Sequence, residues 1–147
     1  TDVEFFLDMP STQAKLGIPN HIEWQSCNFT VNAAFANDWM ESFSYTVPNL
    51  LKLGVRVLIY DGDMDFVVNW IGDKAWTLAL DWPGKDSFNN LTDVPYKGAD
   101  GNIAWYSRTF QGFTFMRVHD AGHMVPLDQP LNALDMLDKF LNNQPFV

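Results

Sequence analysis

The sequence predicts an α/β fold, and three observations carry that prediction. Residues 55–60 form a near-continuous apolar run broken only by Arg56, as expected of a central parallel strand covered on both faces. The run empties into a loop bearing Asp61, Asp63 and Asp65, with helical spacing of apolar residues on either side. A second strand-like run, 113–118, empties into the turn His119-Asp120-Ala121-Gly122-His123 and is followed by a helix start containing proline. Helix, strand, carboxylate loop, helix, strand, histidine loop, helix is an α/β order. It implies a mostly parallel central sheet with helices on both faces.

In chain order, residues 1–20 read as a short helical piece, capped by Ser11, continued by Ala14, Lys15 and Leu16, and stopped by Gly17 and Pro19. Residues 21–37 hold Trp24, Cys27 and Phe29 without a clear period and read as loop or short strand. From 38 to 53 the apolar positions Trp39, Met40, Phe43, Val47, Leu50, Leu51 and Leu53 fall near helical spacing, with Asp38 as N-cap and Pro48 as a kink or split. Gly54 ends that helix. After the carboxylate loop, Asn69 caps a helix running through Ile71, Ala75, Trp76, Leu78, Ala79 and Leu80, closed by Pro83-Gly84. Residues 83–102, rich in Gly, Pro, Asn and Asp, read as a surface loop. Residues 103–110 and 113–118 flank Gln111-Gly112 and form a hairpin. Asp128 and Pro130 open a last helix with the apolar face Leu131, Leu134, Met136, Leu137, Phe140 and Leu141, ended by Asn142-Asn143. There is no internal repeat and no low-complexity tract.

At 147 residues and 47% hydrophobic, the chain is long enough for one domain with a core. Its formal charge of −9 argues against nucleic acid as a partner, because phosphate binding needs a surplus of Lys and Arg on one face. The acidic balance suits an acidic secreted or lumenal compartment. Six Trp and twelve Phe can line an apolar cleft as well as fill a core. No run of about 18 apolar residues exists to span a membrane. The first residues lack the basic and apolar regions of a signal peptide, and read as a cut made inside a larger protein.

Cys27 is the lone cysteine, either a small buried hydrophobe or half of a bridge to another chain. Two N-x-Thr sequons, at Asn28 and Asn90, mark candidate N-glycosylation sites and favour secretion, and with it the bridge.

The alternating Asp61, Asp63 and Asp65 raise the possibility of a calcium loop. Such a loop would need Gly at its sixth position and Glu at its twelfth; Phe66 and Gly72 stand there, so no metal is expected. An Asp-rich turn held by local hydrogen bonds explains Asp61 or Asp63, but not a second loop carrying a histidine beside glycine.

In open parallel sheets, reactive groups sit in the loops after the carboxyl ends of strands. Asp65 lies five residues beyond Tyr60, and His123 five beyond Val118. Such a pair is the orienting acid and the base of a serine-hydrolase triad. The nucleophile would stand on a G-x-S-x-G elbow, and none of Ser11, Ser26, Ser42, Ser44, Ser87 and Ser107 lies in that pattern. The elbow is therefore expected upstream, outside this chain.

The segments Ser26-Cys27-Asn28-Phe29, Asp38-Trp39-Met40, Tyr60 to Trp70, Ala75-Trp76 and Ala121-Gly122-His123-Met124-Val125-Pro126-Leu127-Asp128-Gln129-Pro130 resemble the serine carboxypeptidases, especially their fungal vacuolar branch. The resemblance runs over most of the chain. It implies the C-terminal portion of an α/β-hydrolase domain over residues 1–147, with no cofactor. It also implies release of C-terminal residues from peptides through an acyl-enzyme, best at acidic pH, in a vacuole or outside the cell.

Residue by residue, Asp65 and His123 match the family's catalytic Asp and His. Met124 matches the pocket for the leaving residue, which Ser26 also touches. Trp39, Val67 and Val68 match the pocket for the penultimate side chain, with Val68 standing where members often have Cys. Cys27 matches a cysteine bridged to the N-terminal part, the partner segment that would carry the serine. Two rivals stay open: an acyltransferase or lyase built on the same scaffold, and an inert isolated fragment.

Overall fold

Why the strand at residues 113–118 rather than that at 57–62 is buried on both faces follows from its neighbours on both edges. A computed structural model describes residues 1–147 throughout, as two compact units, Thr1–Ser42 and Phe43–Val147. The sheet lies in the second and runs β1-β4-β3-β2, with β1 spanning Val57–Gly62, β2 Val94–Lys97, β3 Ile103–Phe110 and β4 Phe113–Val118. β1 pairs with β4 in parallel from Val57↔Phe113 to Gly62↔Val118. β3 pairs antiparallel with both β4 and β2.

The sheet within this chain is thus mixed, with its parallel pair at one end, and β1 is an edge strand with Val57, Leu58 and Ile59 half-buried. Two-face burial falls instead on β4. Its Phe113 and Phe115 join a cluster with Val47, Leu80, Trp82 and Phe88, while Met116 and Val118 join Trp105, Ala121, Val125, Ala133, Met136 and Phe146. This is the period-2 alternation of a strand with cover above and below. The β3–β4 hairpin matches its sequence prediction, with Gln111 (φ 45°) and Gly112 (φ 84°) in the left-handed conformation of a two-residue turn.

The helices of this unit are α4 (Thr46–Lys52), α5 (Trp70–Ala79), α6 (Lys85–Asn90), α7 (Val125–Asp128) and α8 (Pro130–Leu141). Asn69 caps α5 as expected, its Oδ1 accepting the Gly72 N–H at 2.9 Å. α4 begins at Thr46 rather than at Asp38. Pro48 neither kinks nor splits it, because in the first turn its missing N–H would have had no helical partner. The surface loop expected over 83–102 contains α6 and β2; Phe88, fully buried against Trp82 and Phe113, anchors α6.

On α8 the buried stripe is Ala133 and Met136, with Phe140 half-buried, whereas Leu131, Leu134, Leu137 and Leu141 are exposed. Of these, Leu134 and Leu137 line a hollow of about 480 Å³ together with Leu58 and Tyr60 of β1.

The first unit carries three short helices, labelled α1 (Asp2–Asp8), α2 (Pro10–Lys15) and α3 (Phe29–Ala34). Thr1 and Glu4 make a reciprocal capping box on α1. Ser11 lies inside α2 and caps nothing; Pro10 opens that helix after an extended Met9. Residues 29–34, read from sequence as loop or strand, are helical because Asn28 Oδ1 accepts the N–H groups of Thr30 and Val31 as an N-cap. Buried Gln13 holds the chain that follows, bonding both the N–H and the C=O of Ile22.

Candidate active site

The site forms where the loops after β1 and β4 touch. Gly62 makes the approach possible: a Cβ there would stand 2.1 Å from the Ala121 carbonyl oxygen and 2.4 Å from that of Gly122. Across this seam the Asp63 N–H donates to Val118 O and the Met64 N–H to Ala121 O, each at 2.9 Å.

Asp61, near the end of β1, and Asp63 and Asp65 of the loop after it have separate partners. Asp65 Oδ2 lies 2.8 Å from His123 Nδ1, while its Oδ1 accepts the N–H groups of Val67 and Val68 at 2.9 and 3.1 Å. Asp63 Oδ2 lies 2.8 Å from His119 Nδ1, and its Oδ1 accepts the Asp120 N–H. Asp61 faces Asp73 of α5.

The histidine turn is fixed from its other side as well. Asp120 takes a left-handed conformation (φ 54°), Asp128 Oδ2 accepts the Gly122 N–H at 2.8 Å, and Gln129 Nε2 donates to Asp120 O at 3.0 Å. The turn ends with His123 standing out, its side chain 69% exposed, against an Asp65 side chain only 7% exposed.

Electrostatics separate the carboxylates. The hydrogen bond from His123 holds Asp65 below the usual carboxylate range, helped by the Val68 and Val67 amides against the opposing effect of burial. Burial instead pushes Asp61 up to about 7, reinforced by a hydrogen bond shared with Asp73 and by the charges of Asp73 and Asp65. One oxygen of Asp61 has no hydrogen-bond partner.

Of the residues singled out by sequence, Val68 lines a cavity of about 160 Å³ together with Asp65, His123, Tyr60, Asp61 and Val125. Val67 and Met124 flank the pair and are largely exposed, Val67 contributing its backbone N–H to Asp65. Ser26, Cys27, Asn28 and Trp39 lie in the first unit. There Ser26 donates to Glu4 through its hydroxyl, Trp39 donates to Asn32 O, and Cys27 is an exposed free thiol. Asn90 is exposed at the end of α6. Sequence reasoning missed the Asp63–His119 and Asp61–Asp73 contacts. The first was signalled by a D-x-D after one strand facing an H-x-x-x-H after its parallel neighbour.

The serine carboxypeptidase family model matches residues 1–143. Carboxypeptidase Y homolog A of Podospora anserina is 46% identical over 127 residues, covering 84% of this chain and 23% of that protein. Serine carboxypeptidase-like 49 of Arabidopsis thaliana is 38% identical over 143 residues, covering 97% of this chain and 27% of that protein. Carboxypeptidase Y of Candida albicans is 42% identical over 142 residues, covering 95% and 26%. A crystal structure of a prohormone-processing carboxypeptidase from Saccharomyces cerevisiae superposes with a TM-score of 0.73 at 24% identity, over 96% of this chain and 31% of that one. The chain thus spans about a quarter of the length of the curated relatives it matches, and its fold is that of part of an α/β-hydrolase.

Proposed function

The chain belongs to the serine carboxypeptidase family, and we propose that it is the C-terminal part of a serine-type carboxypeptidase. In this reading it supplies the base and the orienting acid to a serine carried by another part of the same protein. The observation that supports it best is the 2.8 Å contact between His123 Nδ1 and the covered Asp65 carboxylate.

Asp65 accepts the Nδ1–H, which fixes the tautomer and leaves Nε2 as the basic nitrogen. As the serine oxygen attacks the carbonyl carbon before the last peptide residue, Nε2 takes the hydroxyl proton. The imidazolium formed is stabilised by Asp65 and returns that proton to the leaving amine, which departs as the free C-terminal amino acid. Water then enters: Nε2 takes its proton as the oxygen attacks the acyl-enzyme, and the serine oxygen recovers a proton from the imidazolium as the shortened peptide leaves. No cofactor takes part.

Met124 contributes to the pocket for the leaving residue, and Val67 and Val68 to that for the penultimate side chain. Cys27 bridges to the segment bearing the serine. Asn28 and Asn90 carry N-glycans; at Asn28 the linkage uses Nδ2 and leaves Oδ1 to cap α3. An acidic vacuolar or secreted compartment suits the charge of −9.

The test is turnover by the full-length protein of an N-acylated dipeptide and of an acyl-glucose ester, before and after a phosphonofluoridate that esterifies reactive serine. Release of the C-terminal amino acid, abolished by the reagent, is the expected result. Acyl transfer from the glucose ester without peptide cleavage would overturn the peptidase reading.

A further inference from the structure

The carboxylate–imidazole pair of the candidate site has a neighbour of the same construction. Asp63 and His119 stand two residues before Asp65 and four before His123, and their Oδ2···Nδ1 distance is also 2.8 Å. The Asp63 side chain is 14% exposed and that of His119 54%. His119 is therefore not held by core packing, and its contact with Asp63 is what orients it.

Asp63 is the common anchor of the chain leading to His123. Its N–H donates to Val118 O, its Oδ1 accepts the Asp120 N–H at 2.8 Å, and its Oδ2 holds His119. Three successive residues, from the end of β4 into the histidine turn, are thus fixed to one residue of the aspartate loop. The last of them, Asp120, is in the left-handed region, where a side-chain-bearing residue needs support from its surroundings. On the far side, the Asp128 and Gln129 side chains hold Gly122 and Asp120.

The register between the two loops determines whether Asp65 and His123 meet. A slip of about 1 Å would stretch their 2.8 Å contact beyond hydrogen-bonding range.

We propose that Asp63 and His119 are a positioning couple that sets the register of the histidine turn, and hence the Asp65–His123 geometry, without touching substrate. This rests on the catalytic reading given above. His119 keeps Asp63 Oδ2 engaged, so that Oδ1 stays aimed at the Asp120 N–H. Without the imidazole, the carboxylate is free to rotate towards water and the turn loses a fixed point.

The test uses the full-length enzyme with His119→Phe, which keeps a planar ring and loses the donor, and His119→Asn, whose Nδ2 stands where Nδ1 does. The expected result for His119→Phe is a loss in kcat on the order of tenfold, below the roughly 100-fold that a misplacement of about 1 Å can cost. KM should stay within about twofold, and His119→Asn should recover most of the loss.

Wild-type kcat in His119→Phe, a loss confined to KM, or no recovery in His119→Asn would each overturn the proposal. Serine labelling and dipeptide turnover of the wild-type enzyme are measured alongside. If these fail, the catalytic reading fails; if they succeed while the His119 variants match the wild type, only the positioning role is lost.

Discussion

Replacing Asp61 by Asn should make the protein more stable at neutral pH and leave it nearly unchanged in acid. Asp61 is 8% exposed, one of its oxygens has no donor, and its carboxyl neighbours are Asp73 and Asp65. Burial raises its pKa from 3.8 to about 7. The folded chain therefore holds a proton that the unfolded chain has already released across the interval between those values. Stability falls as pH rises through that window, and the penalty is complete above the folded value. At about 1.4 kcal/mol for each pH unit separating the two titrations, the penalty is on the order of 4 kcal/mol for a carboxyl raised from 3.8 to about 7.

Asn has nearly the same shape, carries no charge, and can donate its amide to Asp73. The assay is the urea midpoint of the full-length protein and of Asp61→Asn between about pH 3 and 8. The variant should match the wild type at the acid end and exceed it increasingly towards pH 8. Parallel curves across the whole range would refute the reasoning.

Two further substitutions probe the seam and the orienting acid. Gly62→Ala puts a methyl group 2.1 Å from a backbone oxygen of Ala121, so the two loops must separate; thermal melting should show a loss of stability, and dipeptide turnover should fall with it. Asp65→Asn should leave the melting curve close to wild type while kcat drops by about 10⁴, the size of effect produced when a triad histidine is held in the wrong tautomer.

The parts of the fold that could be read from the sequence are those with strong local signals. The Asn69 cap, the Gln111-Gly112 hairpin and the junction of β4 with the histidine turn each depend on a few adjacent residues and occur as expected, whereas β1 runs on to Gly62 and takes in Asp61. Two surfaces depend on something more distant than the pattern. β1 has the sequence of a strand covered on both faces and, in a chain about a quarter of its relatives' length, pairs with β4 alone; the leucines of α8 have core spacing and are exposed here. Burial of either surface is a property of tertiary neighbours, which a hydrophobic pattern does not identify.

α3 and α6 were missed because each is six residues long, too short to display a helical period. For the candidate site, the strand-end rule singled out Asp65 and His123, which hydrogen-bond in the structure. It was silent on Asp63, His119 and Asp61, whose partners are set by the parallel register of β1 against β4.

The central claim is that His123, oriented by Asp65, transfers the protons for a serine elsewhere in the same protein. Its most direct test is the steady-state turnover of an N-acylated dipeptide by full-length His123→Ala, with folding checked by its melting curve. The account predicts a folded protein with turnover reduced by several orders of magnitude, because His119, the other imidazole of these loops, is bonded to Asp63 and not to Asp65. A folded variant that releases the C-terminal amino acid at close to the wild-type rate would contradict it.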